Sequence, residues 1–309
     1  MTGGPGATPI ALFIDDGFEL EPFAEAFAGE LACRARVTPG ERAQVVALVT
    51  GIAPVGEAEI APYPGLRAVL TCSTGVDHLD VEALRRRGLT VANTPTYCSA
   101  EVADHALACV LAGWRGLWTL GAEVRAGRWD PSALLRRCDA QRLGIIGLGR
   151  IGALLAARAR ALGIDVVGHD PLCDPPAGVR ALELDELLAT SDAVSLHLPG
   201  APGRPPLLDA QRLAMIKPGA ILVNLSRASL VDLDAVVAAL ATGALAGAAW
   251  DVWPHEPPGG DQRLQTPGLL VTPHVGWSSP QAQDAYRAEA ITTLRAALAG
   301  AAEPTGDVR

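Results

Sequence analysis

The sequence contains no uninterrupted apolar run of about 18 residues, the length a membrane-spanning helix needs. Residues Met1 to Pro9 carry neither the basic stretch nor the apolar core of a secretion signal, so the chain is expected in the cytoplasm and off the membrane. Basic charge is also short: 25 Lys and Arg face 34 Asp and Glu, a formal net charge of -9. Such a surface repels phosphate backbones and anionic lipid, which argues against nucleic acid and membrane as partners. The cysteines Cys33, Cys72, Cys98, Cys109, Cys138 and Cys173 are scattered, with no C-x-x-C pair and no histidine at zinc-ligand spacing. They read as reduced, buried filler, and no metal site is expected. Short-period repeats, low-complexity tracts and charge runs are absent as well. What is present is a globular composition, 49% hydrophobic and 19% charged, in 309 residues, more than one hydrophobic core usually organises. Two compact units are the expectation.

From Arg142 to Val271, short apolar runs suited to buried parallel strands alternate with Ala/Leu-rich segments of helical period. Strands are read at 143–147, 165–169, 193–198, 220–225, 245–250 and 269–272, with helices near 151–162, 184–190, 209–215 and 233–242. This order predicts an α/β fold with a doubly wound parallel sheet covered on both faces. The N-terminal third repeats the alternation more weakly, with strands at 10–14, 45–49, 68–72 and 90–92. A long helix is expected over 99–120 and a final one over 280–299, returning to the smaller unit. The substrate domain is therefore read as discontinuous, residues 1–94 and 280–309, and the cofactor domain as 95–279, with a cleft between them.

Gly147-Leu148-Gly149-Arg150-Ile151-Gly152 follows an apolar strand and opens a helix, the context that gives a G-x-G-x-x-G match its meaning. Its glycines permit a tight turn, close approach of a pyrophosphate and close helix packing, while free N–H groups at the helix start bind the anion. Asp170 ends the next strand, close to the spacing of a ribose-binding acid. Its carboxylate accepts from both ribose hydroxyls and repels a 2′-phosphate. Pro171, Leu172, Cys173 and Asp174 supply no cation to reverse this, so NAD is favoured over NADP.

Three later segments end strands on the ligand side of such a sheet: Asn224 to Asp232, Asp251 to Pro257, and Thr272 to Trp277. Each offers one residue type that hydride transfer to a 2-keto acid requires. Arg227 supplies a forked guanidinium to hold the carboxylate and polarise the carbonyl. His274 supplies a proton to the carbonyl oxygen, and Glu256 a carboxylate that orients the imidazole and keeps it protonated. Taken singly, each has an ordinary alternative: a surface ion pair, a solvated loop acid, a strand-end histidine. The other histidines, His78, His105, His169, His197 and His255, read as structural, with His105 and His197 closest to the expected cleft.

Together with Ser73-Thr74-Gly75-Val76-Asp77, Asn93-Thr94-Pro95 and Glu101-Val102-Ala103-Asp104-His105, the fingerprint and Thr272-Pro273-His274 resemble the D-isomer-specific 2-hydroxyacid dehydrogenase family over nearly the whole chain. The resemblance implies a Rossmann cofactor domain, a smaller flavodoxin-like substrate domain, D-stereochemistry, and Arg227, Glu256 and His274 as the catalytic set. It further implies that N–H groups around Gly75 and Val76, within the loop Ser73, Thr74, Gly75 and Val76, hold the substrate carboxylate, and that Asp251 contacts the nicotinamide amide. The candidate cofactor set is then Gly147, Gly149, Arg150, Ile151, Gly152, Asp170, His197, Pro199, Ser226, Asp251, His274 and Gly276. The helix at 99–120, with Val102, Ala106, Leu107, Val110, Leu111, Trp114 and Trp118, is expected to form a homodimer interface. Two departures stand out: Ala228 replaces the usual glycine after the arginine, and the loop 200–204 lacks the family's threonines. Thr71 stands where phosphoglycerate-handling relatives tend to carry a cation, which leans toward an unphosphorylated acid. The chain also resembles the C-terminal-binding-protein corepressors, so a dinucleotide-sensing binding protein is the competing function. Oxidation of formate or phosphite on the same scaffold is a further one.

Overall fold

The computed structural model describes residues 8–200 and 203–300. The chain divides into two compact units, Met1–Cys98 with Ser279–Arg309, and Ser99–Ser278. Compared with the boundaries expected at 94/95 and 279/280, these lie at 98/99 and 278/279. Residues 95–98 stay with the first unit because the Thr96 N–H donates to the Glu289 carboxylate, 3.1 Å away on the helix Pro280–Leu298.

The first unit is a five-stranded parallel sheet of β1 (Ile10–Phe13), β2 (Ala32–Arg34), β3 (Val45–Thr50), β4 (Ala68–Thr71) and β5 (Thr90–Asn93), in the order β2-β1-β3-β4-β5. This is the flavodoxin-like order. One face is covered by Phe13, Phe23, Val49 and Leu70 with Ala290, Leu294 and Ala297 of the final helix, the other by Leu12, Leu48, Ile60, Val69 and Leu84. Strand β2 was not anticipated. It is a three-residue edge strand with a single buried side chain, too short to show a period.

The second unit carries β6 (Arg142–Ile146), β7 (Asp165–His169), β8 (Arg180–Ala181), β9 (Ala193–Leu196), β10 (Ala220–Asn224), β11 (Leu245–Trp250) and β12 (Leu269–Val271). All pair in parallel, in the order β12-β11-β10-β9-β6-β7-β8. The five residues of β10 are all buried, which is why the central strands read as continuous apolar runs. Strand order reverses between β6 and β9, the switch point where doubly wound sheets receive their ligands.

The helix expected over 99–120 is two helices, Ser99–Trp114 and Leu117–Arg125. Gly116 breaks it by adopting a left-handed φ of 60°, which a residue without Cβ takes at little cost. Part of the stripe expected to face a second subunit is taken up by the unit's own core. Ala106, Val110 and Trp114 are buried in the unit's own core, and Val102, Leu107, Leu111 and Trp118 pack against the same cluster. Among the described residues no helix is long and apolar enough to cross a membrane.

Candidate active site

The fingerprint sits at the switch point, between the end of β6 and the helix Arg150–Ala161. Gly147 has a φ of 94°, and a Cβ there would collide with the His197 carbonyl. A Cβ on Gly152 would strike the Gly147 carbonyl oxygen, so this glycine lets the helix close onto the strand turn. Gly149 is different: a Cβ on it would meet nothing within 4 Å. Its neighbourhood is open at the N-cap of a twelve-residue helix, whose first-turn N–H groups and dipole favour an anion.

Asp170 is tied to that turn. Its carboxylate accepts from the N–H groups of Leu148 at 2.8 Å, Leu172 at 2.8 Å and Cys173 at 3.1 Å. Partial burial opposes ionisation, but these donors outweigh it and hold the acid below the usual carboxylate range. A carboxylate offers about four lone-pair sites, which leaves it able to accept further from a ribose. Open space at Gly149, backbone crowding at Gly147 and Gly152, and a fixed acid on the next strand together fit an unphosphorylated dinucleotide. Arg150 and Ile151 open the helix beside them.

His197 follows β9, with its Nε2 2.9 Å from the Ser195 hydroxyl; burial pushes its pKa down to about 4. A ring neutral at pH 7 is not the proton donor, and its carbonyl is the wall against Gly147. The Ser226 hydroxyl donates to the Leu196 carbonyl at 2.6 Å, joining the ends of β9 and β10. Arg227 comes next, its carbonyl accepting from Asn224 Nδ2 at 2.9 Å and its own Nη1 donating to the Ser226 carbonyl at 2.8 Å. The methyl of Ala228, where a glycine was expected, packs at the edge of the unit's core. Pro199 is exposed beyond β9. In the loop 200–204, residues 201 and 202 lie outside the described residues, and with them the question of the missing threonines.

Glu256 and His274 meet after β11 and β12. His274 Nδ1 is 2.7 Å from Glu256 Oε2, while Glu256 Oε1 accepts from the Trp253 N–H at 2.7 Å. Among the described residues His274 is the only non-glycine residue with a positive φ, 53°. That conformation costs about 1–2 kcal/mol and needs holding in place. Asp251 does the holding. One of its oxygens accepts from the Thr272 hydroxyl at 2.6 Å and the Val275 N–H at 2.9 Å, the other from the Gly276 N–H at 2.8 Å. Gly276 is required by this contact, since a Cβ there would lie 2.9 Å from the Asp251 carboxylate. A cavity of about 360 Å³, lined among others by Trp253, Pro257 and Val271, adjoins the Glu256–His274 pair.

In the first unit, the loop after β4 turns its carbonyls inward. Ser73 Oγ donates to the Gly75 carbonyl at 2.6 Å, Asn93 Nδ2 to the Thr74 carbonyl at 2.8 Å, and the Thr94 N–H to the Ser73 carbonyl at 3.2 Å. Among the described residues the Gly75 and Val76 N–H groups donate to no acceptor. The loop after β3 is already filled from within. Asp15 accepts from Thr50 Oγ1 at 2.8 Å and from the N–H groups of Gly51 at 2.7 Å, Ile52 at 3.2 Å and Ala53 at 2.8 Å. These donors outweigh its partial burial and keep it ionised.

A strand-ordered set of this kind, with a glycine fingerprint at the switch point and an imidazole–carboxylate pair after the last two strands, defines a nicotinamide-dinucleotide-binding protein. Residues 107–276 match the family described as D-isomer specific 2-hydroxyacid dehydrogenase, NAD binding domain, and the chain belongs to that family. It is 37% identical over 260 residues to the D-3-phosphoglycerate dehydrogenase of Mycobacterium leprae, covering 82% of this chain and 49% of that one. The chain thus spans about half the length of the curated relatives it matches. A glyoxylate reductase from Paecilomyes thermophila superposes with a TM-score of 0.83 at 27% identity, over 94% of this chain and 95% of that one. A D-lactate dehydrogenase from Aquifex aeolicus, complexed with NAD and lactic acid, shares the fold at a TM-score of 0.84 and 23% identity, over 94% and 96% of the two chains.

Three residues in this neighbourhood are given no role by the sequence. The roles of Thr272 and Trp253 appear only through what they touch. Asp261, which accepts from the Trp253 indole, lies in an irregular Pro/Gly-rich stretch where no period points to it.

Proposed function

We propose that the protein transfers a hydride between NAD(H) and a small, unphosphorylated D-2-hydroxy acid or its 2-keto acid. The observation that carries this is the 2.7 Å contact between His274 Nδ1 and Glu256 Oε2. With Nδ1–H donated to the carboxylate, Nε2 is the remaining nitrogen and faces the reacting oxygen. The bound nicotinamide supplies or accepts the hydride at C2 of the acid. Arg227 holds the substrate carboxylate in a forked contact and draws electron density toward the carbonyl oxygen. His274 gives its Nε2 proton to that oxygen during reduction, is left neutral, and regains a proton from solvent; oxidation runs the same transfer in reverse. Glu256 orients the imidazole, and Asp251 presents the His274 turn. In the first unit, the Gly75 and Val76 N–H groups, which donate to no acceptor among the described residues, can donate to an anionic carboxylate.

Charge supports an unphosphorylated substrate. The stretches after β3, β4 and β5, residues 51–55, 72–78 and 94–98, contain no Lys or Arg. The N–H groups of the β3 loop already hold the Asp15 carboxylate. A phosphate would be left beside a fixed negative charge without a counterion.

The decisive experiment is NADH depletion by the purified protein with glyoxylate, hydroxypyruvate, pyruvate, branched and aromatic keto acids, and phosphorylated analogues. Turnover with at least one unphosphorylated acid, abolished in His274→Ala, is the expected result. NADH binding with negligible turnover of every acid would make the protein a dinucleotide-sensing binding protein.

A homodimer in the cytoplasm completes the proposal. Its support is the apolar surface of Leu117, Val124, Trp129 and Leu134, with Trp129 80% and Leu134 99% exposed in a single chain. All six cysteines are free, as suits a reducing compartment. Light scattering of the wild type and of Trp129→Ser/Leu134→Ser tests the dimer; a wild-type monomer at micromolar concentration would end it.

A further inference from the structure

We infer that Asp261, acting through Trp253, is a positioning residue that sets Glu256 against His274. The inference rests on the proposed acid–base role of that pair. Glu256 lies in a stretch, residues 251–261, that has no helix or strand of its own and includes Pro254, Pro257, Pro258, Gly259 and Gly260. Nothing regular in the backbone fixes its carboxylate, and both of its oxygens are spoken for by groups outside itself: Oε2 by the His274 ring and Oε1 by the Trp253 N–H, each at 2.7 Å. The place of Glu256 is therefore decided by the place of Trp253.

Trp253 is held at its far end. The indole Nε1–H donates to Asp261 Oδ2 at 3.0 Å. Asp261 is in turn gripped by Arg263, whose Nε lies 3.0 Å from Oδ1 and whose Nη2 lies 2.7 Å from Oδ2. Arg263 Nη1 reaches Asp234 at 2.9 Å, on the helix Leu233–Ala241. The same guanidinium stands over the Trp253 ring, 6.0 Å from its centre. A continuous run of contacts thus leads from a regular helix through Asp234, Arg263, Asp261 and Trp253 to Glu256 and His274. The Arg263 contacts hold the Asp261 carboxyl well below the usual carboxylate range, so the anchor is an anion at neutral pH. A phenylalanine here would keep a ring and lose the donor.

Two variants separate this role from simple stability. Trp253→Phe and Asp261→Ala each remove the indole hydrogen bond and are expected to lower kcat about three- to tenfold, with the keto-acid KM and NADH affinity unchanged. The double variant should lose no more than either alone, because both cut one link. Asp261→Asn keeps an acceptor for the indole and should retain most of the wild-type kcat. A second readout does not depend on turnover: the long-range 1H–15N spectrum of the His274 ring, assigned against His274→Ala. Wild type should show the Nδ1–H form held by Glu256, and Trp253→Phe a larger share of the Nε2–H form. If kcat stays within twofold of wild type in both single variants and the ring spectrum is unmoved, the inference is overturned. If the wild type reduces no keto acid, the proposed function fails instead, and the ring spectrum alone decides the positioning role.

Discussion

Glu256 and His274 stand 18 residues apart in the chain, yet their side chains meet at 2.7 Å because the segments that carry them follow neighbouring strands of one sheet. The contact turns Nδ1 of the ring toward the carboxylate. His274→Ala is expected to lower kcat by roughly a hundredfold or more and leave NADH affinity nearly unchanged. Glu256→Gln removes the charged acceptor that orients the ring, so kcat should fall about tenfold or more with NADH affinity unchanged. Steady-state kinetics beside NADH titration decide it; a Glu256→Gln enzyme with the wild-type kcat would refute the pairing as part of the catalytic device.

Arg227 offers a planar fork that lysine cannot copy. Arg227→Lys keeps the charge and should raise KM and lower kcat together, by about tenfold or more in kcat/KM. Steady-state kinetics on the best keto acid measures both. An unchanged KM would place the substrate carboxylate elsewhere.

The fingerprint glycines are predicted to fail in different ways. Gly149→Ala adds a methyl where nothing lies within 4 Å, so Tm should hold while NADH affinity drops, because the methyl enters the space of the pyrophosphate. Gly152→Ala drives a Cβ into the Gly147 carbonyl and should lower Tm as well. Thermal melts beside fluorescence titrations separate the two, and equal effects on both measurements would remove the distinction.

Asp170, ionised and tied to Leu148, should make NADH bind at least several-fold more tightly than NADPH. Asp170→Ser should narrow that gap. Titration of nicotinamide fluorescence with each cofactor reads it directly, and equal wild-type affinities would count against the assignment.

His197 predicts a component of acid instability. Its pKa is lowered from 6.5 to about 4 in the folded chain by burial, so the unfolded state binds the proton more readily. The contribution is intact above pH 6.5 and is lost as pH falls through the interval down to about 4. His197→Gln should flatten the fall in urea midpoint over that window. A variant with the wild-type slope would show that other groups carry it.

Much of this protein was legible before any coordinates. Central strands buried on both faces write themselves as apolar runs, and Gly147, Gly149 and Gly152 stand at fixed intervals because a strand–turn–helix joint is local. Asp170 was found for the same reason, one strand further on. The edge strands β2 and β8 bury too little to leave a pattern, and the break at Gly116 was missed because one residue's φ reverses a helix that the periodicity runs straight through.

The sequence by itself determined which chemical groups were available: an arginine, an acid and a histidine, each just past a strand of a doubly wound sheet. Only the tertiary structure decided how they are held. Asp251 became the clamp on the His274 turn, and Trp253 and Asp261 the support for Glu256, because these contacts join segments whose spacing along the chain follows no period. Likewise, Ala106, Val110 and Trp114 of the helix stripe went into the unit's own core, since an apolar face records that it will be buried and not what will bury it.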